Sequence, residues 1–130
     1  HKRLPRDIVV VNINPLERTE IPRTAQEIQN RINEISFNSS LLRELRAIEF
    51  VQRLLEQGHL GKTDKRNMLV HMIADDALMN ELSVATKLIA TPYTLARLKE
   101  AGQRAADRFL EHHKSDLNER SSVDLVEMFQ

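Results

Sequence analysis

The first patterned stretch of the chain is Asp7-Ile-Val-Val-Val-Asn-Ile-Asn14, with an unbroken β-branched apolar run from Ile8 to Val11. Runs without in/out alternation mark a strand covered on both faces, so a buried strand is expected over 7–14, stopped by Pro15. Leu16 to Arg23 contains Pro22 and mixed charges and reads as a loop. From Thr24 the period changes. Ile28, Ile32 and Ile35 recur at helical spacing, and Leu42, Leu45, Ile48, Val51 and Leu55 prolong the stripe. This predicts one long helix, or two in tandem, over 24–57 with its apolar stripe turned to the core. Thr24 and Glu27 form a T-x-x-E capping box at its start, and Gly58 suits its C-terminal cap. Phe37-Asn-Ser-Ser40 offers a place to bend, because Asn and Ser compete for backbone hydrogen bonds.

Further along, 59–66 reads as a loop on the turn signals Gly61 and Thr63-Asp64, and Asn67-Met-Leu-Val-His-Met-Ile73 as a second strand over 67–73. Asp75 to Leu82 is expected to form a short helix or turn. Thr91-Pro92 supplies an N-cap followed by Pro at the first helical position. Leu95, Leu98, Ala101, Ala105, Phe109 and His112 then mark one face of a helix over 92–113. Ser121 or Ser122 is placed to cap a last short helix over 122–129. The chain is therefore expected to be a single segment, 1–130, of the α/β class: helix-rich, with one buried strand, a second strand and long helices. A strand buried on both faces needs neighbours on each side, and only one other strand is in view. The missing cover is expected from an N-terminal region, a partner chain or a dimer mate.

Charge and composition narrow the function. Lys plus Arg and Asp plus Glu both number 19, and a chain with no basic excess, one Tyr and no Trp is a poor nucleic-acid binder. There is no cysteine, which excludes disulfides, thiol nucleophiles and cysteine zinc sites. The longest apolar run is far too short for a membrane span. His1 is not an initiator methionine, so the chain is expected to begin inside a longer product. A cytoplasmic or peripheral-membrane location fits, with any upstream signal unknown.

Several stretches bear on a family: Asp7-Ile-Val-Val-Val-Asn-Ile-Asn-Pro15 with Glu17-Arg18, Pro22-Arg-Thr-Ala-Gln-Glu-Ile-Gln-Asn-Arg-Ile-Asn-Glu-Ile-Ser-Phe-Asn38, and Leu41-Leu-Arg-Glu-Leu-Arg-Ala-Ile48 with Phe50-Val51. A weaker echo runs through Ser83 to Lys87, Leu95 to Leu98, Gly102 and Ala105-Ala-Asp107. Together they resemble the C-terminal region of bacterial patatin-like phospholipases, including the uncharacterised domain that closes many of them. The resemblance implies the C-terminal part of a patatin-like α/β fold, and a parent that hydrolyses a phospholipid or other acyl ester with a serine–aspartate dyad. The serine belongs to a G-x-S-x-G elbow and the aspartate to a D-G-G or D-G-A motif. Neither is here: the only glycines are Gly58, Gly61 and Gly102, and no D-G pair occurs. Catalytic residues, cofactor ligands and metal ligands are thus assigned to no position. The implied partners are the missing catalytic region or a partner chain, the lipid or acyl-ester substrate of the parent, and a homodimer mate.

Individual side chains have sharper and blander readings. His112 with Asp116 could share a metal, although zinc normally needs three or four ligands and a helix-end histidine also interacts with the dipole. His71 lies between apolar residues, as a satisfied core or interface histidine does; His71 or His112 with Asp partners is also the seed of a small-enzyme reading. Ser39-Ser40 and Ser121-Ser122 are read as breaks or caps, and Asp75-Asp76 as a turn or helix start. Asn30, Glu34 and Asn38 form a polar stripe, extended by Arg43, Arg46 and Arg53. It is read either as a solvated face or, for Asn30, Glu34, Asn38, Arg43 and Arg46, as a docking surface against the missing half. A lipid-headgroup role for the arginines is disfavoured by the absence of a polybasic cluster. The rival to the hydrolase reading is a helical module that dimerises through the Ile28–Leu55 stripe without enzymatic activity.

Overall fold

In a computed structural model of the chain, the described residues are 6–60, 67–82 and 89–129. The turn signals at Gly61 and Thr63-Asp64 and the echo at Ser83 to Lys87 lie outside them. The elements are strand β1 (Asp7–Asn12), helix α1 (Ala25–Glu56), strand β2 (Leu69–Ala74), helix α2 (Asp76–Glu81), helix α3 (Pro92–His113), a 3-10 turn (Lys114–Asp116) and helix α4 (Leu125–Met128). The α/β class is therefore as expected. No helix of the described residues is long and apolar enough to cross a membrane.

β1 ends two residues sooner than expected, where the Asn12 side-chain amide donates to the Asn14 carbonyl at 2.7 Å and turns the chain. α1 is one helix of 32 residues rather than a pair. At the suspected bend, the Ser39 hydroxyl donates to the Ser36 carbonyl at 2.8 Å without breaking it. The capping box is present: the Thr24 side chain accepts from Glu27 N–H, and the Glu27 carboxylate accepts from Thr24 N–H. At the other end Gly58 N–H donates to Leu55 C=O and His59 N–H to Leu54 C=O, the paired bonds of a Schellman cap. Thr91 caps α3 as expected. α4 is capped by Asp124 instead of Ser121 or Ser122, because both serines are engaged with β2.

The strands pair in parallel, Asp7 to Asn12 against Leu69 to Ala74, with α1 as the crossover that parallel strands require. β2 is the strand buried on both faces. Val70 and Met72 pack under Leu41, Leu45 and Ile48 of α1 and Leu125 and Met128 of the α4 region. On the opposite face His71 meets Phe109 of α3. A second apolar cluster joins Leu78, Met79 and Leu82 to Leu98 and Ala101, fastening α2 to α3.

β1 departs from the expectation. Ile8 and Val10 are half-buried, but Val9 is 45% and Val11 67% exposed. The register explains this: Val9 and Val11 stand beside His71 and Ile73 on the α3 face, and α3 packs on β2 rather than β1. The two edges differ as well. Val70 receives Ser121 Oγ on its N–H and the N–H groups of Ser122 and Val123 on its C=O, which covers the outer edge of β2 at that residue. Leu69 N–H donates to Arg6 C=O, so Ile8, Val10 and Asn12 turn their peptide groups toward β2 and Val9 and Val11 turn theirs outward. No hydrogen bond to Val9 or Val11 on that side occurs among the described residues.

The second departure is in α1. Its expected core stripe, Ile28, Ile32 and Ile35, is about half exposed, whereas Glu34 is 1% exposed and Asn38 is also buried. A 32-residue helix spans about 48 Å and a six-residue strand about 20 Å, so the N-terminal half of α1 has no sheet beneath it. It lies instead on 14–18, a loop whose peptide groups need polar partners.

Two glycines make opposite predictions. Gly58 has φ +69°, and a Cβ there would meet nothing within 4 Å, so Gly58→Ala pays only the left-handed backbone cost. Urea denaturation should show a loss of about 1 kcal/mol. Gly102 lies inside α3 with equal space, and Gly102→Ala should gain about 0.5–1 kcal/mol.

Candidate functional site

Three distant segments converge on His71, which is fully buried. Its Nε2 lies 2.9 Å from Asp7 Oδ1 at the start of β1, and its Nδ1 3.1 Å from Ser122 Oγ. Phe109 meets the ring edge-on, with centroids 5.9 Å apart. The Asp7 carboxylate can only accept, so Nε2 carries a proton toward it, while Nδ1 and the Ser122 hydroxyl share the second hydrogen bond. Asp7 Oδ1 also accepts from Asn118 N–H at 2.8 Å; Asn118 sits at φ 63°, a conformation asparagine tolerates better than most residues. The Asn118 N–H first, and the imidazole second, hold the Asp7 carboxyl below its ordinary range.

The order Ser122–His71–Asp7 is that of an acyl-transfer triad, but two features argue against that chemistry. An oxyanion needs free donors beside the nucleophile, and the N–H groups of Ser122 and Val123 are both spent on Val70 C=O. The imidazole is also sealed from water, between β1, β2, α3 and 117–124. The constellation acts as a polar bolt across the sheet. Nothing local in the sequence announces it, since its members are 64 and 51 positions apart.

The other candidates disperse. His112 Nδ1 lies 2.8 Å from Arg108 C=O, and it is His113, not His112, that reaches Asp116, at 2.9 Å. Arg120 takes the other Asp116 oxygen at 2.6 Å. Among the described residues no three His, Cys, Asp or Glu side chains come together as a metal site would require. Asp75 caps α2 by accepting from Leu78 N–H, in line with the helix-start reading.

The five docking candidates on α1 do not share a face. Glu34 is held by a forked pair with Arg18, Nε to Oε2 at 2.7 Å, and Arg31 approaches at 3.4 Å. The guanidinium of Arg18 also donates to Asn80 C=O, so it ties α1 to α2, and the Glu34 carboxylate raises its pKa. The Asn38 amide donates to Pro15 C=O at 2.9 Å. Asn30 is half-buried and accepts from Gln26. These three belong to the inward side of the helix. Arg43 and Arg46 are exposed, on the same side as Ile28, Ile32 and Ile35. A groove of about 450 Å³ opens at the C-terminal ends of both strands, lined by Val11, Ile13, Ile73, Met79, Leu98 and the small residues of α3. Its walls are almost wholly apolar, suited to hydrocarbon side chains rather than a polar substrate.

Neither a family model, nor a curated protein, nor a solved structure matches this chain.

The Asp7 bolt carries a pH signature. A carboxyl held low in the folded state stabilises above its unfolded pKa of about 3.9, and that contribution is lost as pH falls through the lower folded value. Melting temperature should therefore drop on acidification below about pH 4. Asp7→Asn should flatten part of that drop, with Asp116, held low first by His113, and Glu27, held low by the Arg23 and Thr24 N–H groups, contributing to the remainder.

Proposed function

We propose that the chain is the non-catalytic C-terminal portion of a patatin-like serine acyl hydrolase, which completes a sheet begun elsewhere and packs on the catalytic region. The observation that carries this is the state of β1. Among the described residues nothing pairs with its outer edge at Val9 and Val11, and it carries apolar side chains in solvent on its α3 face with an apolar groove beside them. Open parallel sheets are covered in stable domains, and a bare edge of this kind is a template for another strand. The quoted likeness at 7–15 and 22–48 supplies the class of parent, which would cleave a phospholipid or other acyl ester through a serine acyl-enzyme. This portion contributes scaffold, and no residue in it takes a catalytic role.

A second reading, a free-standing helical module that dimerises through α1, is favoured by the half-exposed Ile28, Ile32 and Ile35.

Two measurements bear on the choice. The chain alone should neither hydrolyse short p-nitrophenyl esters nor be labelled at Ser122 by a fluorophosphonate; labelling abolished by His71→Ala would refute the non-catalytic reading. The coding sequence upstream of His1 should contain a D-G-G or D-G-A within a few tens of codons and a G-x-S-x-G before it. A start codon directly upstream would favour the module.

A further inference from the structure

We propose that the outward face of α1 is a docking site for an anionic lipid bilayer, an inference independent of the acyl-hydrolase reading. At 100° per residue, Ile28, Ile32, Ile35, Arg43, Arg46, Phe50 and Arg53 fall within an arc of about 80° along the helix. The buried positions Glu34, Asn38 and Leu45 sit roughly 120° around from its middle. The three isoleucines and Phe50 are each about half exposed, and the arginines are exposed.

Charge singles out the occupant. The whole chain is neutral, and the sequence alone disfavours a headgroup role for these arginines, but the single helix gathers Arg43, Arg46 and Arg53 on one face beside the exposed isoleucines. Glu27 is consumed by the capping box, Glu34 points inward to Arg18, and Glu44 lies on the far side of the helix. Glu49, nearly buried at the margin, reaches Arg53 at 3.6 Å. Arg43 and Arg46 have no carboxylate partner among the described residues. A nucleic acid would ask for a larger basic excess and no isoleucine stripe. A face that joins exposed isoleucines and phenylalanine to unpaired arginines fits the boundary between lipid headgroups and acyl chains, where aliphatic stems bury and guanidiniums remain with phosphate.

Geometry agrees. The arc runs along a single uninterrupted helix and forms a convex ridge, which a plane can meet along its length. It is also separate from the open edge of β1. The Arg46 guanidinium lies over the Phe129 ring, 5.4 Å from its centroid, next to α4 on the side where Val123 bonds Val70 of β2. Arg53 lies 5.6 Å from the Phe50 ring. A partner completing the sheet at β1 would leave this face free.

The test is co-sedimentation of the chain with vesicles of phosphatidylcholine, with and without about one-third phosphatidylglycerol. Binding to the anionic vesicles should exceed binding to the neutral ones by about tenfold and fall in high salt. Arg43→Glu with Arg46→Glu should remove about that factor, while the double Lys variant retains it; circular dichroism checks that each stays folded. Ile32→Ser should weaken binding to both vesicle types. Failure of the unaltered chain to bind anionic vesicles, or equal binding by the double Glu variant, would overturn the proposal. So would a dimer in size-exclusion chromatography that Ile32→Glu dissolves, since a second copy would then occupy the face. None of these outcomes depends on what is encoded upstream.

Discussion

A parallel pair of strands needs cover on both faces and both edges, because its peptide groups and apolar side chains are otherwise left in water. The helices of this chain meet that demand unevenly. Around β2 they meet it best, with α1 and α4 on one face, α3 on the other, and Ser121 to Val123 covering the outer edge at Val70. Around β1 they stop short. Val9 and Val11 share the α3 face with His71 and Ile73, but α3 lies too far across to reach them. The exposed valines and the apolar groove at the strand ends both follow from that displacement.

What holds the covered half together is chemically mixed. The apolar cluster around Leu45, Val70 and Leu125 is small for a chain of this length, and the polar bolts supplement it. His71 links the start of β1 to the segment 117–124, and Arg18 with Glu34 fastens the loop after β1 to α1 and α2. Buried polar groups of this kind add little net energy when satisfied and cost much when one member is removed, so they act chiefly to fix one arrangement. The same networks use up the side chains that could otherwise do chemistry, since Ser122, His71, His113 and Asp116 each have a structural partner.

Local chemistry was the most legible part of the sequence. The Thr24–Glu27 box, Thr91-Pro92 and Gly58 placed the ends of α1 and the start of α3 because each acts through its immediate neighbours. The two strands were legible in the β-branched run at Ile8 and the apolar run at Met68, but their parallel pairing across the α1 crossover was not. The orientation of α1 was not legible. Periodicity reports that one side of a helix is apolar, but what lies beneath it depends on the length of the sheet, and α1 outruns it. Ile28, Ile32 and Ile35 consequently face outward while Glu34 and Asn38 serve the loop. For the same reason the docking candidates divided, three inward and Arg43 and Arg46 outward. The His71 bolt was invisible because only tertiary structure brings Asp7, His71 and Ser122 together.

The claim on which this account rests is that β1 is paired on one side only. Amide hydrogen exchange read residue by residue tests it directly. If the outer edge is open, Ile8 and Val10 should be protected while Val9 and Val11 exchange quickly, an alternation along one strand set by the register with β2. Equal protection at all four amides would show the edge already closed, and the sheet would then need no completing partner.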